Sequence, residues 1–415
     1  MTLLLEGGRL VCTETGLDRQ GDLWVQDGRI STTAPSQEVD EVIDCRGLVV
    51  TPALVDLDTR LSDPGLTWRE DMGTAGQAAI RGGFTTLLAS PEADPVTDGP
   101  ALVRELLSRS ERECPVQVLS AAALTCKLEG KDLAELGLML EAGAAVLSNA
   151  QRLVTDSLVL RNALLYARPF DRPVLLRAGD AELESVAVMH EGEYSALAGL
   201  RGLPAAAEEL GMARLIALAR YTGTHIHVLG VSTALAVEQL RRAKAEGVNI
   251  SGSTTALHCL LEDREVLESG YDSNTRLNPP LRSASDREAV CRGLVDGTLL
   301  GAASAHSPLT RVEKELEYAY AEPGALGLET ALGALLSVVD LRVALRALSS
   351  GPARLLGLQR ALVDGAPAEL VAFDPSESWT VDPQQSRSRS RNEPLAGRSL
   401  PGNIQVVVHQ GRRVL

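Results

Sequence analysis

The sequence is short of aromatic residues, paired cysteines, basic charge and long apolar runs, and each shortage removes a class of function. Aromatics make up 3% of the chain, so aliphatic side chains must fill the core. The six cysteines (Cys12, Cys45, Cys114, Cys126, Cys259 and Cys291) are scattered without a C-x-x-C pair. That spacing suggests neither a disulfide framework nor a thiolate metal site. It reads as reduced, mostly buried small hydrophobes in a cytoplasmic protein. No apolar run approaches the roughly 20 residues that span a bilayer. The opening Met1-Thr2-Leu3-Leu4-Leu5-Glu6-Gly7-Gly8 lacks a basic region and soon turns polar, so no signal peptide is expected. A formal charge of −15 argues against nucleic acid and against anionic lipid surfaces. Gly-x-Ser-x-Gly and the P-loop pattern are absent, which disfavours a nucleophile-elbow hydrolase and a nucleotide-phosphate cradle.

What is present fits one large α/β domain plus a smaller accessory one. The 415 residues are 45% hydrophobic and 23% charged, a globular profile. Residues 1 to about 50 read as short strands, with Leu3-Leu4-Leu5, Arg9-Leu10-Val11, Asp22-Leu23-Trp24-Val25 and Val42-Ile43-Asp44 separated by turn residues. Asp27-Gly28 between apolar runs signals a hairpin. The tail has the same texture in 368–373 and 404–408. The economical expectation is one small β-sandwich built from both ends, residues 1–50 plus 360–415.

Between them, over 51–359, strand-like and helix-like stretches alternate. Apolar strand candidates are Val49-Val50, 85–88, 116–119, 145–147, 174–176, 225–229, 249–251 and 300–303, with helices such as 204–221 and 234–246. Eight such units predict a (β/α)₈ barrel. A doubly wound open sheet is the alternative, weakened because no G-x-G-x-x-G follows an early strand.

Several local features invite a sharper reading. His225 and His227 share one face of a strand and resemble a metal pair, but core packing is the preferred reading. His190, His258 and His409 have structural roles as their default. Asp180 and Glu182 read as a solvated loop. The run Gln384-Gln385-Ser386-Arg387-Ser388-Arg389-Ser390-Arg391-Asn392 reads as a basic solvated loop, or as a contact for an acidic partner.

The order of motifs resembles dihydroorotase, a cyclic amidohydrolase. The resemblance rests on Val55-Asp56-Leu57 with Asp63-Pro64-Gly65, on Arg81-Gly82-Gly83-Phe84-Thr85-Thr86, and on His227-Val228-Leu229-Gly230-Val231-Ser232-Thr233. It continues through Asn278-Pro279-Pro280-Leu281-Arg282, Gly327-Leu328-Glu329-Thr330-Ala331, Phe373-Asp374-Pro375 and Ser390-Arg391-Asn392. It implies a barrel that holds zinc at the C-terminal ends of its strands, where the metal activates water against a cyclic amide.

Carried over motif by motif, the metal positions fall on residues that do not suit zinc. The first-strand His-x-His falls on Asp58 and Arg60. A ligand Asp falls on Ala150, the fifth-strand His on Arg177, the sixth-strand His on Gly230, and the catalytic Asp on Ala305. Only Asp58 retains a cation donor, whereas zinc takes about three or four protein ligands. A guanidinium has no lone pair to give. On the substrate side, the resemblance puts a lost Arg at Ser62 and a lost Asn at Glu92, while Asn278 and His306 remain as remnants. No catalytic residue, metal ligand, zinc or other cofactor is therefore expected, and Asp58 is expected to pair with Arg60 or Arg177.

The resemblance implies a catalytically inactive dihydroorotase-like chain that partners aspartate carbamoyltransferase in pyrimidine synthesis, within a homo- or hetero-oligomer. Two alternatives stay open. One is an amidohydrolase with a rebuilt metal site. The other is a metal-free protein whose Arg60 and Arg177 grip a small anion.

Overall fold

Eight short strands, each followed by helical segments, succeed one another around a common axis. The computed structural model describes residues 2–34 and 38–415. We number the strands β1 (Leu54–Thr59), β2 (Phe84–Ala89), β3 (Gln117–Ala123), β4 (Val146–Ser148), β5 (Val174–Arg177), β6 (Ile226–Leu229), β7 (Ile250–Thr255) and β8 (Gly301–Ala303). Every neighbouring pair is parallel and sequential. This is the (β/α)₈ barrel that the alternating pattern predicts, and not an open doubly wound sheet.

The barrel is nearly closed, and backbone bridges with one buried side chain complete the seam between β8 and β1. Thr59 bridges His306, and the Arg60 amide donates to the His306 carbonyl at 2.9 Å. The buried Asp56 carboxylate accepts the Ser304 amide at 2.6 Å and the Ser304 hydroxyl at 2.7 Å, and also accepts the Thr59 hydroxyl. A strand pair too short for a full ladder is thus tied by one carboxylate, whose pKa burial drives upward.

Local sequence sets the helix starts. Asp71 and Thr74 form a capping box at Met72–Arg81, and Asp156, Thr233 and Ser283 cap Ser157–Ala167, Ala234–Ala245 and Ala284–Val295. Each satisfies amides that the helix itself leaves open. The inward faces bury aliphatic residues. Phe84 and Phe373 are the only aromatics among the twelve largest fully buried side chains, as a chain this poor in aromatics requires.

The two chain ends build a second, mixed eight-stranded sheet. Thr2–Cys12 lies between Leu17–Gln26 and Val49–Pro52, which in turn pairs with Leu370–Thr380. Its apolar core, with Leu5, Leu10, Val25, Ile43, Leu370 and Val406, is separate from that of the barrel. Seven of its strands follow one hydrogen-bonded path, and Glu41–Asp44 branches from it by pairing in parallel with Leu3–Glu6. The expected turn is present, with Asp27 and Gly28 both left-handed (φ 50° and 79°) between paired strands.

Val49-Val50 was a barrel-strand candidate and is instead part of this terminal sheet, paired with Arg9 and Leu10. Its apolar run continues almost without a break into β1, so composition alone does not mark the crossing. The six cysteines are free; Cys12, Cys45 and Cys259 are buried, and Cys126 is exposed. Among the described residues, no helix is long and apolar enough to cross a membrane.

The serine–arginine run is an anchored strap, not a free loop. Ser388 and Ser390 are buried while Arg387, Arg389 and Arg391 face outward. The Ser388 hydroxyl and the Arg389 amide donate to Glu70, and the Ser390 hydroxyl donates to the Arg69 carbonyl at 2.7 Å. Arg389 pairs with Asp71. The alternation matches an extended chain with one face down.

Candidate functional site

The C-terminal ends of the strands surround a small cavity, the position at which barrel enzymes assemble their chemistry. Asp58, Arg60, Gln151, His258, Asn278, Ala305 and His306 are among its lining. Its volume is about 40 Å³, room for a few waters. Small-molecule sites run to hundreds of cubic ångströms. Outward it adjoins a cleft of about 660 Å³ lined by Arg60, Glu92, Arg152, Arg177 and Glu184, among others.

The charges at the mouth pair internally, with partners other than those expected. Arg60 forms an ion pair with Glu92 at 2.8 Å. Arg177 at the end of β5 grips Glu184 in a fork, with bonds of 2.9 and 2.5 Å, and also donates to the Gln151 carbonyl. Such bidentate pairs are strong and directional. Asp58 does not pair directly with either arginine. It accepts a hydrogen bond from the Gln151 amide at 3.1 Å. Burial raises its pKa to about 7; Arg60 pulls it down, while Asp56 and Glu92 push it up.

The other mapped metal positions carry side chains without a metal-donor atom. Ala150 is buried in a small apolar cluster with Ala123 and Leu128. Ala150 and Ala305 hold left-handed backbones (φ 50° and 51°), as does Ser62 at 59°. This region costs alanine about 1 kcal/mol and suits Asp or Asn better. Gly230 is left-handed too, and a Cβ there would lie 3.3 Å from Pro279. That is a tight approach, which the proline ring would have to ease by a few tenths of an ångström. Among the described residues, no group of three or more His, Cys, Asp or Glu side chains is arranged to hold a metal ion. The residues present therefore do not fit a zinc centre.

The histidines nearby are engaged elsewhere. His306 contacts Glu70 through Nε2 at 3.4 Å, and its Nδ1 accepts the Gly327 amide at 3.4 Å. Burial alone would raise the Glu70 pKa, but bonds from His306, Ser388 and Thr74 outweigh it and hold the carboxyl below its usual value. His258 Nε2 meets the Pro279 carbonyl at 3.0 Å and so must carry the proton; Nδ1 then accepts from Thr255. Burial lowers its pKa to about 4. His227 is fully buried between Ser251 and Ser253, at 2.8 and 2.9 Å, and burial takes its pKa to about 3. His225 shares Ser251. His190 lies beside Arg282, and His409 bonds Glu369.

Sequence reasoning missed three partners. Gln151 and Glu184 had been passed over, and Glu92 had been read only as a lost position. Glu184 was detectable in principle, because it follows Arg177 by seven residues within one strand-to-helix segment. Asp180, read as a solvated carboxylate, caps the short helix that presents Glu184.

The family description "Dihydro-orotase-like" matches residues 47–235. A "Dihydroorotase" of Anaeromyxobacter dehalogenans (strain 2CP-C) is 38% identical over 421 residues, covering 99% of this chain and 97% of that one. A "Dihydroorotase" of Syntrophus aciditrophicus (strain SB) is 37% identical over 424 residues, covering 100% and 99%. Among solved structures, the L-hydantoinase (dihydropyrimidinase) from Arthrobacter aurescens superposes with a TM-score of 0.88 at 22% identity, over 99% of this chain and 95% of that one. That likeness speaks for the fold.

Proposed function

This chain belongs to the dihydroorotase-like family of cyclic amidohydrolases, and from that premise we propose that it is a non-catalytic member serving as a structural partner of aspartate carbamoyltransferase in pyrimidine synthesis. One observation carries the reading: Arg60 and Arg177 stand at mapped ligand positions, each already holding a carboxylate of its own. A dication there would meet two guanidinium groups and lose the donors that they occupy. The left-handed Ala150 and Ala305 support the same reading. A backbone shape that favours Asp or Asn persists where the side chain no longer offers an oxygen. The family's scaffold is kept, and its chemistry is not.

The names of the relatives favour a second reading, a dihydroorotase with a rebuilt metal site. Small-anion capture is less well supported, because both arginines are neutralised from within.

The test is co-elution with aspartate carbamoyltransferase from the same organism, alongside turnover of dihydroorotate and carbamoyl aspartate. The reading expects a stable complex and no turnover by the chain alone. Separate elution, with a transferase fully active and stable by itself, would remove the partnership. Ring opening by the lone chain would remove the inactivity.

A further inference from the structure

We propose that the barrel mouth, abandoned as a reaction site, is the docking face, and that its occupant is a protein surface rich in basic side chains around apolar pockets. This inference rests on the partnership proposed above and adds which side of the molecule makes it.

The first observation is where large apolar side chains meet solvent. Trp68, Leu183, Leu197, Val312, Leu316 and Tyr320 are all exposed, Val312 at 80% and Tyr320 at 75%. All six lie in segments that run from the end of a barrel strand to the next helix, after β1, β5 and β8. These segments gather on one end of the barrel. The helix Arg311–Lys314 is held against the first loop by the Arg69–Glu313 ion pair, and Trp68 and Arg311 line the same groove of about 750 Å³. Other exposed apolar side chains, such as Leu158, Leu210 and Val295, are spread over the helices and need no explanation; the group at this end includes Trp68 and Tyr320, residue types enriched in interface cores.

The second observation is charge. The eight strand-to-helix segments (60–71, 90–99, 124–135, 149–156, 178–204, 230–233, 256–283 and 304–330) hold 25 Asp or Glu against 11 Lys or Arg. Nearly all of the chain's −15 therefore sits on this end. The three arginines of the strap temper it along the edge beside Asp71. A second copy meeting this face with the same face would oppose like charge with like charge, so self-association here is disfavoured. A basic partner gains both steering and complementarity.

The test titrates the full chain against aspartate carbamoyltransferase from the same organism by calorimetry, at about 50 and 300 mM salt. The double variant Leu197→Lys/Tyr320→Lys places positive charge against the basic partner, and both residues are exposed, so the core is untouched. The control, Tyr166→Lys/Tyr221→Lys, makes the same charge change at exposed residues at the far ends of Ser157–Ala167 and Ala205–Thr222, on the opposite side of the barrel. Thermal melts check that both variants fold. The proposal expects at least about thirtyfold weaker binding for the mouth variant, the scale of an interface hot spot. It expects little change for the control, and wild-type affinity that falls as salt rises. Loss confined to the control, or affinity indifferent to salt, overturns the docking face while leaving the partnership intact. No binding by the wild type overturns the partnership itself. Wild-type dimers abolished by the mouth variant would make the occupant a second copy and contradict the charge argument.

Discussion

Replacing Asp58 with Asn separates an empty polar cavity from a metal site through pH. Burial holds the Asp58 carboxyl near pKa 7, against an ordinary value of 3.8. Between those values the folded chain keeps a proton that the unfolded chain has lost, so stability falls as pH rises from about 4 to about 7. Each pKa unit is worth about 1.4 kcal/mol. At pH 5 most of this penalty is still to come; by pH 8 it is complete. Asn carries no charge and escapes the penalty. Asp58→Asn should therefore gain about 2–3 kcal/mol relative to wild type between pH 5 and pH 8. Partial contact with water places the result toward the lower end. Comparing the two chains cancels Asp263 and Glu393, whose pKa values burial also raises, to about 6 and about 8. Chemical denaturation at both pH values, with and without added zinc, reads the difference. A held dication would keep Asp58 ionised and reverse the sign, making Asp58→Asn the less stable chain at pH 8 in zinc. That result would refute the reasoning, as would a difference that does not depend on pH.

Three further substitutions probe the same structure by denaturation. Glu184→Ala leaves the Arg177 guanidinium buried without its carboxylate and should cost about 1–3 kcal/mol, reduced because Glu184 keeps some contact with water. Rescue by Arg177→Met in the double variant would show that the unpaired charge is the cause. Ala305→Gly relieves a left-handed alanine and should stabilise by several tenths to about 1 kcal/mol, opposite in sign to an ordinary Ala-to-Gly change. Asp56→Ala strips the seam between β8 and β1 of the two bonds from Ser304, and β1 of the bond from Thr59, and should cost about 2–4 kcal/mol.

The barrel was legible in the sequence because each of its units repeats the same signals. Apolar runs such as Val174-Leu175-Leu176 became β5, and the stretch 234–246 became the helix Ala234–Ala245. The boundary at Val49 was not legible. Two apolar strands joined by Ala53 give one unbroken run, and only pairing with Arg9 and Leu10 assigns the first to the terminal sheet. At the mouth, the residue types were readable but their partners were not. Arg60 and Arg177 stand out as residues that offer a dication no donor, yet Glu92 arrives from the loop after β2 and Glu184 from a one-turn helix capped by Asp180. The serine–arginine run was read by composition as solvated. The buried Glu70, more than 300 residues away, makes it a strap. Long-range carboxylate choices of this kind depend on barrel closure, which no local pattern encodes.

Elemental analysis of the chain purified in the presence of zinc, with dihydroorotate turnover measured on the same sample, tests the account at its centre. A mouth without a ligand set should retain far less than one equivalent of metal and open no ring. About one tightly held equivalent per chain, together with turnover, would contradict it.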